Sequence, residues 1–457
     1  MVCLVASVAC GADGARLGSG EPTRPSERDA GAQPVGMPDV SNGDGPVPSS
    51  MDAAGAATDI GNEGATLEAA ATPVDATVPE TDAAGDDTDA TGVSDAGAAS
   101  AVTAVAVGST STCAVTVAGQ LVCLGMFQYD PNGSLAACPA AQDCSAPQVL
   151  AGLPTGVTSV AAGYKSTCAV LTDGRVACWG EAASGIAPAG STAAVIIPNL
   201  SGVTSLSVGS GPLSPIANSG ASACAVVTGG EVECWGGGYV VNSTATPVPI
   251  AGLTSGVTAV SVGTAGACAI TAGGGVTCWG KGEFVRPTSP VQVADSSIGA
   301  TALSVGTEAA CLVGAGGNVM CWGSNGHGQL GAPLPASSNV PVQVPGLTGG
   351  FKSVVVGDSV ACAVPSGGDV VCWGVGPFQD PAGITVVGPG PVPGLPSPVT
   401  SLAVGYGALG FAGGGPDTGC AIAGGGLYCW GGNHTAQITG DPMSAQVIAV
   451  PQRVTGF

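Results

Sequence analysis

The sequence predicts an all-β fold, a seven-bladed β-propeller preceded by a disordered acidic linker, and three observations predict it. A phrase of the form V-x-V-G recurs seven times, ending at Gly108, Gly163, Gly209, Gly263, Gly306, Gly357 and Gly405. Each copy is followed by two cysteines nine or ten residues apart. The text before residue 101 has almost none of the large apolar groups that a core requires.

Repeats spaced 43 to 55 residues apart are the signature of a repetitive architecture. No stretch holds a helical period, and the apolar runs are strand-length and punctuated by Gly and Pro. None is long enough to span a bilayer as a helix.

The cysteines pair as Cys113 with Cys123, Cys168 with Cys178, Cys224 with Cys234, Cys268 with Cys278, Cys311 with Cys321, Cys362 with Cys372 and Cys420 with Cys429. A β-hairpin explains the spacing. Antiparallel pairing sets Cys168 opposite Cys178 with Thr172 to Gly174 at the bend. In the last copy it leaves Gly424-Gly425 as a two-residue turn, where φ must be positive. Directly opposed cysteines are close enough to bridge. Zinc competes for the same thiols, but it needs ligand pairs spaced C-x₂₋₄-C, and none occurs. Cys138 and Cys144 lie in an insertion after the first hairpin and are expected to bridge each other. So many bridges imply an oxidising compartment.

A third phrase completes the unit, as in Pro147 to Leu153, Pro247 to Leu253, Pro341 to Leu347 and, at the end, Pro451 to Phe457. The first V-x-V-G has no such phrase before it. On this pattern the unit is expected to be permuted between the two ends, so that terminal strands complete one shared blade. Four short strands repeated seven times and closed into a ring give a propeller over 101–457.

The linker spans 11–100 and holds 17 acidic and 3 basic residues, with no aromatic side chain. Such a segment buries too little to offset chain entropy. The whole chain carries a formal charge of −22 with only nine Lys and Arg, which excludes nucleic acid as a partner. Residues 1–10 read as a partial export signal. Ser7-Val-Ala-Cys10 has the form of a lipobox, with Cys10 as the lipidation site, although Ser7 stands where Leu is usual. A plain secretory signal is the alternative; any membrane contact is expected only through such an anchor.

The repeats resemble those of the regulator of chromosome condensation family. Trp322-Gly-Ser-Asn-Gly-His-Gly-Gln-Leu-Gly331 matches that family's blade ending, and Trp430-Gly-Gly-Asn-His-Thr-Ala-Gln-Ile-Thr439 is a degraded copy. The likeness covers about 101–457 and implies the seven-bladed fold. The position of the family's histidine holds Ser111, Ser166, Gly266, Ala309 and Ser359 here, and cysteine precedes the family's alanine. These departures resemble the exported bacterial branch, and do not support nucleotide exchange or chromatin binding.

Chemistry is sparse. Trp179, Trp235, Trp279, Trp322, Trp373 and Trp430 each follow a second cysteine, and Leu124 takes that place in the first repeat. Neighbours on a strand face opposite ways, so these Trp are expected in the core between blades, with Cys on the other blade face. His327 and His434 occupy similar turns without carboxylates nearby and form neither a metal site nor a triad. Gly-rich runs such as Ala272 to Gly275 are hairpin tips, with no Lys for phosphate. Asp173 in Thr172-Asp-Gly174 resembles a calcium-loop fragment but reads better as a turn.

What varies between repeats points to surface. The glycine-to-cysteine gap is five residues in five repeats and fifteen in two, so 210–222 and 406–419 carry matching insertions. Segments after Trp-Gly hold Phe127, Tyr129, Tyr239, Phe284, Arg286 and Phe378, the expected binding face. The function expected is a non-catalytic, monomeric scaffold, extracellular or at the cell surface, that recognises a protein or glycan without cofactor or metal. The alternatives are an extracellular lyase or hydrolase with a site in the central channel, and a purely structural envelope protein.

Overall fold

The computed structural model describes residues 101–457 apart from 126–145, 151–152, 154–155, 164–165, 181–184, 188–193, 210–219, 239, 242–243, 283–287, 332–334, 377–385, 406–416 and 441–446. Seven four-stranded antiparallel sheets make a seven-bladed propeller. The innermost strands are Val102–Val107, Val157–Ala162, Val203–Val208, Val257–Val262, Ala302–Val305, Phe351–Val356 and Val399–Gly405. Among the described residues no helix is long and apolar enough to cross a membrane.

The cysteine hairpins form as the spacing requires, with the two cysteines directly opposed in every blade. Cys113 is bonded to Cys123, Cys168 to Cys178, Cys224 to Cys234 and Cys268 to Cys278. Cys311 is bonded to Cys321, Cys362 to Cys372 and, across the shorter hairpin, Cys420 to Cys429. In these seven bridges the Cα atoms are 4.0–4.1 Å apart. Cys138 and Cys144 lie outside the described residues, as does Cys10. In the ten-residue hairpins a glycine such as Gly174 (φ 79°) closes a three-residue loop. The nine-residue hairpin turns on Gly424 and Gly425, at φ 57° and 77°, between the paired Ala423 and Gly426.

Alternation along the third strand sends Cys and Trp to opposite blade faces. All six Trp are at most 1% exposed. Each packs on the blade before its own, in one cluster with that blade's bridge: Trp235 with Cys168 and Cys178, Trp373 with Cys311 and Cys321. The same partnership joins Trp179 to Cys113 and Cys123, Trp279 to Cys224 and Cys234, Trp322 to Cys268 and Cys278, and Trp430 to Cys362 and Cys372. Burying an indole with sulfur beside it is worth a few kcal/mol per seam.

The shared blade does not exist. Every sheet is built from four strands consecutive in the chain, Val102 to Val149 for the first blade and Val399 to Val454 for the last. The proline phrase follows its own hairpin and supplies the outermost strand, as Thr244–Pro249, Ser337–Gln343 and Val447–Val454 do. Short antiparallel connections pair neighbours in the chain, so no permutation is needed. The ring closes instead by side-chain packing. Val105, Val107, Ala114 and Leu124 of the first blade meet Ala403, Ile422, Leu427, Ile438, Ile448 and Phe457 of the last, with Cys420 and Cys429 in the same cluster. Among the described residues one backbone bond crosses there, Val102 N–H to the Gly425 carbonyl at 3.3 Å.

The repeated glycine has a steric reason. A Cβ placed on Gly108 would lie 2.6 Å from the carbonyl oxygen of Gly163, and one on Gly405 would lie 2.6 Å from that of Gly108. The approach is closer still for Gly209, Gly263 and Gly306, each against the glycine carbonyl of the next blade. Gly357 departs from the rule and faces the carboxylate of Asp417.

Candidate functional site

The antiparallel order of each blade fixes which connections share a face. Links between first and second strands, and between third and fourth, leave one face; the cysteine hairpin tips lie on the other. Strand ends that bracket 210–219 and 406–416 are of the first kind, and those that bracket 126–145, 283–287 and 377–385 are of the second. Both insertions and the aromatic-bearing segments therefore depart from a single face. Phe127, Tyr129, Tyr239, Phe284, Arg286 and Phe378 all fall outside the described residues.

The central channel is narrow, a cavity of ≈ 80 Å³ lined by Val, Ala, Leu and Ser of the innermost strands. Its hydroxyls are already used. Ser207, Ser261 and Ser304 accept backbone N–H bonds from Val262, Val305 and Val356 of the next blade at 2.9, 3.0 and 3.0 Å. These bonds satisfy inner-edge amides that a β-sheet otherwise leaves open. No titratable side chain is among the channel's described lining.

Residues of the family-like blade ending hold turns. The Asn325 side-chain oxygen takes the Leu330 N–H at 2.9 Å, and Asn433 repeats this with Ile438 at 2.9 Å. Gln329, fully buried, donates to the Asp358 carbonyl at 3.1 Å and so ties one blade to the next. His327 lies in that turn, its Nδ1 3.3 Å from the Gln329 amide nitrogen. Asp173 pairs with Arg175 at 2.7 Å and accepts its N–H, which makes Thr172 to Gly174 a turn. The hydrogen bond from the Arg175 guanidinium, and after it that backbone N–H, hold the Asp173 carboxyl below the usual range. Among the described residues no cluster of three metal-ligating side chains occurs.

Sequence reasoning missed Asp417. It lies near the end of the 406–419 insertion and stands three residues before Cys420, where other repeats have Thr110, Lys165, Ala221, Ala265, Glu308 and Ser359. It is the only charged side chain among the described residues that is buried. Its carboxylate takes N–H bonds from Asp358, Ser359 and Val360 of the preceding blade at 3.1, 2.9 and 3.1 Å, and the Ser359 hydroxyl at 3.3 Å. In other seams a glycine carbonyl does the accepting, as Gly163 does for Ser109 N–H at 3.4 Å. Asp417 thus replaces a backbone acceptor with a stronger clamp, and anchors one of the two long connections to its neighbour blade. The signal was an acid at the exit of an insertion.

Burial, with Asp358 beside it, pushes the Asp417 carboxyl up to about 7, against the pull of the backbone donors. Because the folded value lies above the unfolded one, the native state keeps a proton that the unfolded chain releases. Stability from this group is therefore full below about pH 4, falls as pH rises to about 7, and is flat above. The loss is on the order of 4 kcal/mol over that interval. Urea melts at pH 4, 5.5 and 7 should show wild type losing stability that Asp417→Asn retains; parallel profiles for the two proteins would refute the assignment.

Residues 157–185 and 316–364 each match a model described as Regulator of chromosome condensation (RCC1) repeat. Among curated proteins none matches the chain by sequence. Solved structures share the fold. Prp20p from Saccharomyces cerevisiae, described with its binding to Gsp1p and histones, is 18% identical over 75% of this chain and 87% of its own, with TM-score 0.58. The yeast RCC1 (Prp20) bound to Kap60 is 16% identical over 80% and 90%, with TM-score 0.58. Human WBSCR16 is 18% identical over 66% and 84%, with TM-score 0.53. Two segments of the chain thus match regulator of chromosome condensation repeats, and its seven consecutive four-stranded blades share the fold of these structures.

Proposed function

We propose that this propeller is a non-catalytic binding scaffold, exported to the cell surface or beyond, that takes a protein or glycan on the face from which its long connections leave. One observation carries the reading: both insertions and the segments bearing Phe127, Tyr129, Phe284, Arg286 and Phe378 are bracketed by strand ends on the same face. A rigid ring that holds variable connections on one side is a common recognition design. Proteins of this fold are described in complex with or binding other proteins, Kap60 in one case and Gsp1p and histones in another. Of the two ligand classes, a protein has that support.

Seven buried bridges favour an oxidising compartment. In this reading 1–10 directs export, with Cys10 the acylated residue, and 11–100 is a flexible tether. Treated as a coil, 90 such residues reach roughly 50 Å. The channel reading of an enzyme finds no acid–base pair in the described lining to support it.

The test is retention of envelope proteins and arrayed glycans by the immobilised, oxidised full-length chain. Alanine at Phe127, Tyr129, Tyr239, Phe284, Arg286 and Phe378 together is expected to lower retention at least tenfold while the melt stays unchanged. No retained ligand, or retention indifferent to the six substitutions, would defeat the proposal.

A further inference from the structure

Six of the seven seams between blades hold an indole; the seam that closes the ring has Leu124 in that place. Around Trp373 the enclosing groups are Leu330, Val344 and Leu347. Their counterparts at the closing seam, read by position in the repeat, are Ile438, Val454 and Phe457, and all three pack with Leu124. Beside Leu124 lies a cavity of ≈ 390 Å³, lined also by Pro147, Ile438, Thr439, Arg453 and Val454 among others. No other seam combines the missing indole with such a space among the described residues.

Indole N–H groups are bonded in two seams, whereas those of Trp179, Trp279 and Trp322 are buried without an acceptor among the described residues. Trp373 donates its ring N–H to the Gln329 carbonyl at 2.7 Å, and Trp235 to the Ile186 carbonyl at 3.3 Å. Gln437 stands at the position of Gln329, next to the lining residue Ile438, and is fully buried. The Leu124 side chain has no N–H to give it. At the outer end Gln452, Arg453 and Thr455 are solvent-accessible, so the cavity has a polar mouth with a cation suited to the face of an aromatic ring.

The geometry points to a receptor for a tryptophan side chain presented by another polypeptide, which would supply the seventh indole of the ring. Leu124, Pro147, Ile438 and Val454 offer the ring an apolar wall, and the polar mouth of Gln452, Arg453 and Thr455 meets the adjoining main chain. The volume is in the range of small-molecule and side-chain pockets. This site lies in the closing seam and is read with a capped amino acid that carries no other contact, so its failure leaves face binding, read by retention of envelope proteins, untouched.

The probe is N-acetyltryptophanamide, titrated into the oxidised full-length protein by calorimetry and followed by ligand-observed NMR, with N-acetylleucinamide as control. Saturable binding with a dissociation constant on the order of a millimolar or tighter is expected for the indole alone. Leu124→Trp should weaken that binding at least tenfold and raise the melting temperature by a few degrees, as the chain supplies its own ring. Thr455→Trp, at the exposed mouth, is a second block should the first variant not fold. No binding by wild type, or equal binding by a folded blocked variant, overturns the proposal. So does free tryptophan binding more tightly than the capped amide, which would assign a small metabolite. Binding that appears only after Phe127→Ala and Tyr129→Ala would assign the socket to the chain's own ring and overturn it too.

Discussion

Reduction of the blade bridges is expected to abolish the propeller's cooperative thermal transition at neutral pH. Each bridge closes a loop of nine or ten residues, worth up to about 3 kcal/mol in the chain-entropy model. Seven of them together approach about 20 kcal/mol, more than the 5–15 kcal/mol by which domains are usually stable. The remaining stabilisation is apolar, and it depends on the same hairpins to present Trp to the preceding blade. The measurement is a circular-dichroism melt in a phosphine reductant, after exposure to mild denaturant so that the buried sulfurs are reached. A melt within a few degrees of the oxidised protein's would show that packing alone holds the ring. A single deletion, Cys268→Ala with Cys278→Ala, should cost about 3 kcal/mol and leave a foldable protein.

Gly263→Ala is expected to destabilise by more than about 3 kcal/mol, or to prevent folding. The added methyl meets the Gly306 carbonyl and the Val305 side chain, and the obstacle is backbone of the adjacent blade. Relief would require two blades to separate, which opens a seam packed around Trp322. Interiors this dense do not yield locally. Gly367→Ala is the matched control, since a Cβ there meets nothing within 4 Å. It should lie within about 0.5 kcal/mol of wild type. Equal denaturation midpoints for the two variants would mean the blades slide apart freely.

Much of the scaffold was legible because each repeat states its own local solution. Cysteines at fixed separation across a Gly turn specify hairpin, register and bridge together, and Trp beside the second cysteine specifies the opposite face. The terminal arrangement was misread for a physical reason. Periodicity locates a phrase such as Pro451 to Phe457 without saying which hairpin it pairs with, and pairing follows the shorter connection. Asp417 escaped because its partners are backbone amides of another blade, which carry no sequence signature. Leu124 was noticed as an exception, but its consequence appears only when Ile438 and Val454 are brought around it from the far end of the chain. The candidate binding side chains belong to segments whose composition marks them as variable and whose conformation no repeat dictates.

The burial of every blade sulfur carries a consequence for how the molecule is made. All fourteen cysteines of the seven hairpins have no exposed surface. Once the seams are sealed, neither oxidant nor thiol reaches them, so the bonds must be laid down while blades are still apart. Each partner is also the nearest one along the chain, and short contour separation favours it over any distant thiol. Biogenesis therefore calls for a simple electron acceptor acting hairpin by hairpin. An isomerase that sorts mispaired links has little to correct, and the finished ring keeps its oxidation state for as long as it stays shut.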